Sequence, residues 1–428
     1  MLTALLAAQP AAALRSTAAV KEVVSASGVR AYLMREPTIP FLSLALHVRG
    51  GSATDPAGKE GLAFMSAGLL DEGAGPYDSQ AFRTELEDNA IRLSFEADRD
   101  GISGELRTLT ATREHAFELL RLAVSQSRFD AEPVQRVRSQ ILSDLRRREA
   151  DPDYLASCAW FAAAFPDHAY GRPTRGTPES AATLTADDCR AFIAGRLARD
   201  RLVVGVAGDI TAAELGPLLD TAFGDLPASR PLHEVPRAVP RVGVTEVLRL
   251  AIPQSVVTFG HAGLDRHDPD YYAAYIANYI LGGGGFASRL LEEVREKRGL
   301  AYSAYSYLYE LDQAPLWLGG VATNNQQVAQ SIAIVRQELA RMAAGELDEN
   351  DLANARTYLT GSFPLRLTSN DQIAKTLLGM LLHDLGRDYL DRRNGLVEAV
   401  NLADLKRVSA RLFSGELLVS IVGDPHGL

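Results

Sequence analysis

The sequence predicts an α+β protein of two homologous domains, each a mixed, mainly antiparallel sheet covered by helices, facing each other across a cleft. Three observations carry that expectation. The chain repeats itself at an offset of 215 to 218 residues. A proline-dense stretch lies half-way along it. Its apolar residues alternate between strand-like and helix-like spacing.

The repeat is clearest at two strand-like runs closed by Gly-Asp, a turn signal: LVVGVAGD ending at Asp209 and LLVSIVGD ending at Asp424. Before each comes a helix start, LTADDCRAFI from Leu184 and NLADLKRVSA from Asn401. Further back, FDAEPV from Phe129 parallels LDENDL from Leu347. FLSLALHVRG from Phe41 and SVVTFGHAG from Ser255 are the matching first strands. Each half then reads as an early strand, a helix, a hairpin, two long helices and a last strand. Between the halves LPASRPLHEVPRAVPRV holds Pro227, Pro231, Pro236 and Pro240. Prolines this dense predict an extended, semi-stiff linker. The expected division is a first domain over 1–226, a linker over 227–244 and a second domain over 245–428.

Composition bounds the function. The 428 residues are 46% hydrophobic and 23% charged, as in a soluble globular protein. A net charge of −10 argues against nucleic acid or an anionic membrane as the main partner. The basic runs at Arg146–Arg148 and Arg295–Arg298 are flanked by acids and read as solvated helix faces. No segment has the roughly 18 uncharged apolar residues of a membrane span. Cys158 and Cys189 lack metal-ligand spacing and read as buried thiols. The N-terminal MLTALLAAQPAAALRS reads either as the remnant of a secretory signal or as a frayed tail. Export, to the periplasm rather than retention in the cytoplasm, is the expectation.

The stretch from Gly61 to Gly75, GLAFMSAGLLDEGAG, has an apolar face of Leu62, Phe64, Met65, Leu69 and Leu70 and no histidine or cysteine. Glu60, just before it, and Glu72, within it, read as solvent-facing loop residues.

The second half carries more chemistry. Asp268 and Pro269 predict a helix start, with Tyr272, Ile276 and Tyr279 or Ile280 as its apolar stripe, ending at Gly282–Gly285. The four glycines have no G-K-[ST] and no strand leading into them, so they predict a flexible connector rather than a phosphate cradle. A second helix spans roughly Ala287 to Arg298, with Gly299 as its stop, and a strand runs from Ala301 to Tyr309. This places Arg295 in a last helical turn and Tyr302 at a strand start, where both can project to one side. Such a pair suits a carbonyl oxygen gaining negative charge. The alternative is that Arg295 caps its helix and Tyr302 packs in a sheet.

GGGGFASRLLEEVREKRGLAYSAYS resembles the C-terminal half of M16 metallopeptidases, the pitrilysin, insulinase and mitochondrial processing peptidase family, in its bacterial M16B branch. RGGSATDPAGKEGLAF resembles the lead-in to that family's zinc helix, and AYGRPTRGTPESAATLTADDCRAFI its mid-domain segment. The resemblance implies the LuxS/MPP-like metallohydrolase fold. It also implies a place for H-x-x-E-H, two histidines for Zn²⁺ and a glutamate general base. Here the first histidine position is Phe64, the glutamate is Ala67 and the second histidine is Gly68. QILSDL puts Asp144 at the family's later carboxylate ligand. None of the eight histidines forms an i, i+3 or i, i+4 pair, His261 and His267 read as loop residues, and no G-x-S-x-G elbow exists.

The expectation is therefore a chain that binds no cofactor itself. The resemblance implies that Arg295 and Tyr302 are the family's substrate-binding pair, contributed to the zinc site of an H-x-x-E-H-containing M16B partner subunit in a heterodimer. The substrate implied is an extended peptide paired to a strand edge. The alternatives are a structural homologue without catalytic role and a peptide-binding module that does not cut.

Overall fold

The computed structural model describes residues 20–427. The possible signal over residues 1–16 lies outside them.

Among the described residues eleven strands form two sheets. The first contains β1 (Lys21–Val24), β2 (Arg30–Arg35), β3 (Phe41–Arg49), β4 (Arg92–Ala97), β5 (Gly101–Leu109) and β6 (Leu202–Gly208), in the order β1-β2-β6-β3-β5-β4. The second contains β7 (Thr245–Arg249), β8 (Gln254–Ala262), β9 (Ala301–Tyr309), β10 (Leu316–Asn324) and β11 (Leu418–Gly423), in the order β7-β11-β8-β10-β9. Without β1 the two orders coincide strand for strand. Each sheet has one parallel pair, β2 with β6 and β7 with β11, and is otherwise antiparallel. The two Gly-Asp runs are β6 and β11, buried central strands, which is why they read as continuous apolar stretches. β1, β2 and β7 were not expected: they are short, and β7 (TEVLR) is exposed along its whole length, so no alternation marks it.

The repeated helix starts have a physical basis. Thr185 and Asp188 form a capping box at Ala186–Arg196, and Asn401 accepts the Asp404 amide at 2.9 Å at Leu402–Phe413. Asp348 caps Glu349–Ser362 in the same way, and Asp130 precedes Ala131–Arg148. Each half holds more helices than two. The additional ones include Pro152–Ala164 in the first half and Asn370–Leu382 in the second.

Those two helices organise the molecule. Pro152–Ala164 leaves its own half and lies against β11, β8 and β7 of the other sheet. Its Trp160 is fully buried and donates from Nε1 to the Leu418 carbonyl at 3.1 Å. Asn370–Leu382 makes the reciprocal move onto β6, β3 and β2, packing Ile373, Ala374 and Leu377 on Tyr32, Ala45 and Ala207. Each half therefore lends one helix to the outer face of the other's sheet. Burying one tryptophan this way is worth roughly 4 kcal/mol of transfer free energy. The inner face of each sheet carries its own core, with Leu44, Phe117 and Val206 in the first and Phe259, Ile276 and Ile421 in the second.

Residues 227–244 run without regular structure from one half to the other. They are tied down by Ala238 N–H to the Gln313 carbonyl at 3.0 Å and Arg241 N–H to the Ala164 carbonyl at 2.9 Å.

Candidate functional site

Several expected elements around Arg295 take a different form. Asp268 does not cap the helix. Asp268-Pro269-Asp270 makes a turn, with the Asp268 carboxylate accepting the Asp270 amide at 2.8 Å, and the helix is Tyr271–Asn278. It widens into a π-type turn at Tyr279–Gly283. Gly282 and Gly283 lie within that turn rather than in a connector. A Cβ on Gly282 would strike the Ser306 amide and hydroxyl, so this glycine is required for the chain to press against β9. The second helix is only Arg289–Leu291 before another π-type turn, Glu292–Glu296. Such turns re-aim side chains and recur at functional sites. Gly299, at φ +61°, ends the segment as expected.

Arg295 and Tyr302 are brought together. The Arg295 guanidinium carbon lies 4.7 Å from the Tyr302 ring centroid and 4.9 Å from that of Phe286. Tyr302 owes its position to a β-bulge: Ser303 faces Ala322 and Ala301 faces Thr323, so Tyr302 is the unpaired extra residue of β9. The bulge puts Tyr302 on the outward face with Tyr305 and Tyr307, 81%, 47% and 42% exposed. Among the described residues the Tyr302 hydroxyl has no hydrogen-bond partner, and the nearest anion to Arg295 is Glu296 at 3.5 Å. The guanidinium stacks on rings rather than lying beside the hydroxyl, a contact worth about 0.5–1 kcal/mol per ring at an exposed site. Sequence reasoning missed Phe286 and the bulge. An exposed phenylalanine directly after four glycines was the available signal.

The segment that lacks histidine is built on helix Leu62–Ala67. Gly61, at φ +90°, starts it, and the buried Asp55 accepts the amides of Gly61 and Ala63 at 2.9 and 3.0 Å. Ala67 is buried in the core and Gly68 ends the helix. The Phe64 ring is covered by the Arg175 guanidinium, whose carbon stands 4.3 Å from the ring centroid. Asp144 is surrounded by arginines: Arg147 donates to it, Arg148 does so at 2.7 Å and Arg175 at 3.4 Å. Burial alone would raise the Asp144 carboxyl, but the Arg148 and Arg147 hydrogen bonds hold it below the usual carboxylate range. Part of the Arg146–Arg148 run is thus an ion-pair partner and not only a solvated face. No hydrogen bond, ion pair or ring contact joins these residues to Arg295 or Tyr302 among the described residues.

Other assignments need correction. Glu72 is not a solvent-facing loop residue. Its mostly buried carboxylate takes both Arg136 nitrogens at 2.6 and 3.0 Å and the Ser79 hydroxyl at 2.5 Å, which hold it ionised against the cost of burial. Glu60 is a half-buried turn residue accepting the Gly58 amide at 3.0 Å. His261 is a buried strand residue of β8 stacked on Trp317 at 4.9 Å, while His267 does lie in a turn. Cys189 is buried, but Cys158 is only half-buried.

Comparison with known proteins follows this geometry. Residues 30–178 match the model of the insulinase family, peptidase family M16, and residues 183–359 match the peptidase M16 inactive domain. The chain belongs to peptidase family M16. A protein of Streptomyces coelicolor described as an uncharacterized zinc protease is 30% identical over 76% of this chain and 75% of its own. The Helicobacter pylori protein described as a non-peptidase homolog is 26% identical, over 85% of this chain and 84% of its own. The crystal structure of a peptidase M16 inactive domain from Pseudomonas fluorescens superposes with a TM-score of 0.89 at 25% identity, covering 95% and 98% of the two chains.

The side chains at the positions that the sequence resemblance assigns to zinc do not fit the metal. An aromatic ring, a methyl group and a hydrogen stand at Phe64, Ala67 and Gly68, and three guanidinium groups occupy Asp144. Among the described residues no group of three or more His, Cys, Asp or Glu could hold a metal ion.

Proposed function

We propose that this chain is the non-zinc subunit of a heterodimeric M16B metallopeptidase, inactive alone, whose H-x-x-E-H partner holds the zinc. Arg295 and Tyr302 are its contribution: they donate hydrogen bonds to the scissile carbonyl oxygen of an extended peptide as negative charge develops there. The observation that carries this reading is the Phe286–Arg295–Tyr302 cluster. A bulge and a π-type turn aim an exposed tyrosine and an arginine outward, although the Tyr302 hydroxyl has no hydrogen-bond partner among the described residues. Export to the periplasm belongs to the same proposal and is tested by fractionating cells that express the tagged full chain.

The test is reconstitution. The purified chain alone cleaves no internally quenched peptide. Mixed with an H-x-x-E-H homologue from the same genome it forms a complex that does. Arg295→Ala and Tyr302→Phe each lower kcat by about 10²–10³ without dissociating that complex. Normal rates in both variants overturn the assignment. The description of the Helicobacter pylori relative as a non-peptidase homolog favours a second reading, a structural or peptide-holding homologue. A complex that forms but stays inactive selects it.

A further inference from the structure

The two sheets differ at one edge. In the first, β2 is covered by β1, which runs antiparallel to it. In the second, β7 stands where β2 does and is itself the edge strand. An uncovered edge presents a row of unpaired N–H and C=O groups and invites pairing with another strand.

The bonds from β7 to β11 fix which groups are free. The Val244 carbonyl accepts the Val419 amide at 2.9 Å, and the Leu250 amide donates to the Gly423 carbonyl at 2.9 Å. Alternate residues of a paired strand face the partner strand. Glu246 and Leu248 therefore turn their backbone groups to β11, and Thr245, Val247 and Arg249 turn theirs outward. Among the described residues none of those outward groups has a hydrogen-bond partner. All five residues of the strand are exposed. Val247 and Leu248 point to opposite faces of the sheet and are 39% and 44% exposed, so apolar surface is bare on both sides of the edge.

A second copy of β7 fits there. Two copies related by a two-fold axis run antiparallel, the direction β1 takes against β2. Residues opposite each other in an antiparallel pair share one hydrogen-bonding character, so the outward Val247 can meet the partner's Val247. Centred there, the pairing uses the whole strand. Thr245 then faces the partner's Arg249, Glu246 faces the partner's Leu248, and just beyond the strand Val244 faces the partner's Leu250. No like charges stand directly opposite. β1 of a second copy fits less well. Arg35 and Arg249 hold equivalent places, opposite Gly208 and Gly423, so Tyr32 corresponds to Glu246. β1 sets Glu22 against Tyr32, and on β7 it would set Glu22 against Glu246.

We propose that β7 is a dimerisation edge, on which two copies of this chain pair antiparallel about Val247 and join their second sheets into one continuous sheet. Arg295 and Tyr302 play no part in this, so its failure leaves the catalytic reading untouched.

Sedimentation velocity of the isolated full chain over a dilution series reads the dimer and its dissociation constant. The wild type dimerises. Val247→Pro removes the outward amide and leaves the bonds to β11 in place, a position where an edge strand tolerates proline. It keeps the wild-type melting curve and weakens the dimer about tenfold or more, the worth of the two hydrogen bonds that a paired Val247 exchanges. Val247→Lys, which sets like charges opposite each other, weakens it as well and leaves the backbone unaltered. Val247→Cys yields a disulfide-linked dimer on oxidation, because hydrogen-bonded partners stand about 5.5 Å apart at Cα, within disulfide reach. Arg249→Cys, opposite Thr245, does not. A wild type that stays monomeric, a dimer indifferent to both Val247→Pro and Val247→Lys, or linkage at Arg249→Cys but not at Val247→Cys overturns the proposal. So does a dimer that forms only when residues 1–19 are deleted, which gives the edge to that segment. A monomer in which Val247→Pro weakens binding of the H-x-x-E-H subunit gives the edge to that partner and also overturns it.

Discussion

Asp55 holds the start of helix Leu62–Ala67 with a carboxylate that is only 4% exposed. Burial pushes it up to about 7, against the pull of the Ala63 and Gly61 amides. An acid raised in the folded state contributes stability that is complete below its unfolded value near 4 and is lost as pH rises through about 7. Asp55→Asn removes that dependence. Measured by urea midpoint from pH 4 to 8, wild-type stability minus that of the variant falls with rising pH, by on the order of 4 kcal/mol at most. A pH-independent difference would show that the buried group stays ionised. Asp71 and Asp100, also raised, are common to both proteins and cancel. At this scale the sequence singled out Arg295, Tyr302, Phe64, Ala67 and Gly68 because each sits in a local pattern, and the structure brings the first two together. Arg175 was invisible: it meets Phe64 and Asp144 only through tertiary packing from 111 and 31 positions away.

Helices and strands were legible where burial is one-sided or total. β3, β6, β8, β9 and β11 follow the apolar runs, and the capped helix starts follow Thr185, Asp348 and Asn401. The π-type turns were not legible, since an extra residue in a helical turn leaves no periodic trace over five residues. Nor was the destination of the two lent helices, because an apolar face does not say which sheet it meets. Gly205 in β6 makes that destination testable. A Cβ there would overlap the Ala374 carbonyl and the Leu378 amide of helix Asn370–Leu382. Gly205→Ala should destabilise the protein by about 1–3 kcal/mol through overpacking. The expected signature is a lower melting temperature in a single transition. An unchanged melt would mean that the helix sits loosely on the first sheet.

The two halves of the molecule are joined by more than their linker. Trp160 and Phe161 of the first half are buried with Leu316, Leu318 and Leu418 of the second, and Ile373 and Leu377 of the second with Tyr32 and Ala207 of the first. A protease site engineered at the exposed Val239 and cut to completion should therefore leave two fragments that co-elute in gel filtration under native conditions and separate only in denaturant. Separation without denaturant would place most of the cohesion in the linker. The repeat and the proline run made the two-part plan readable; the crossing of helices between the parts was not, because it leaves both sequence copies unchanged.

That crossing sets a timetable for synthesis. The last strand of the first sheet is complete at Gly208, but the helix that roofs it ends at Leu382. At 5–20 residues per second the ribosome needs roughly 10–35 s to bridge that interval. During it Tyr32, Ala45 and Ala207 lack their native cover, an apolar patch open to aggregation of the kind chaperones exist to prevent.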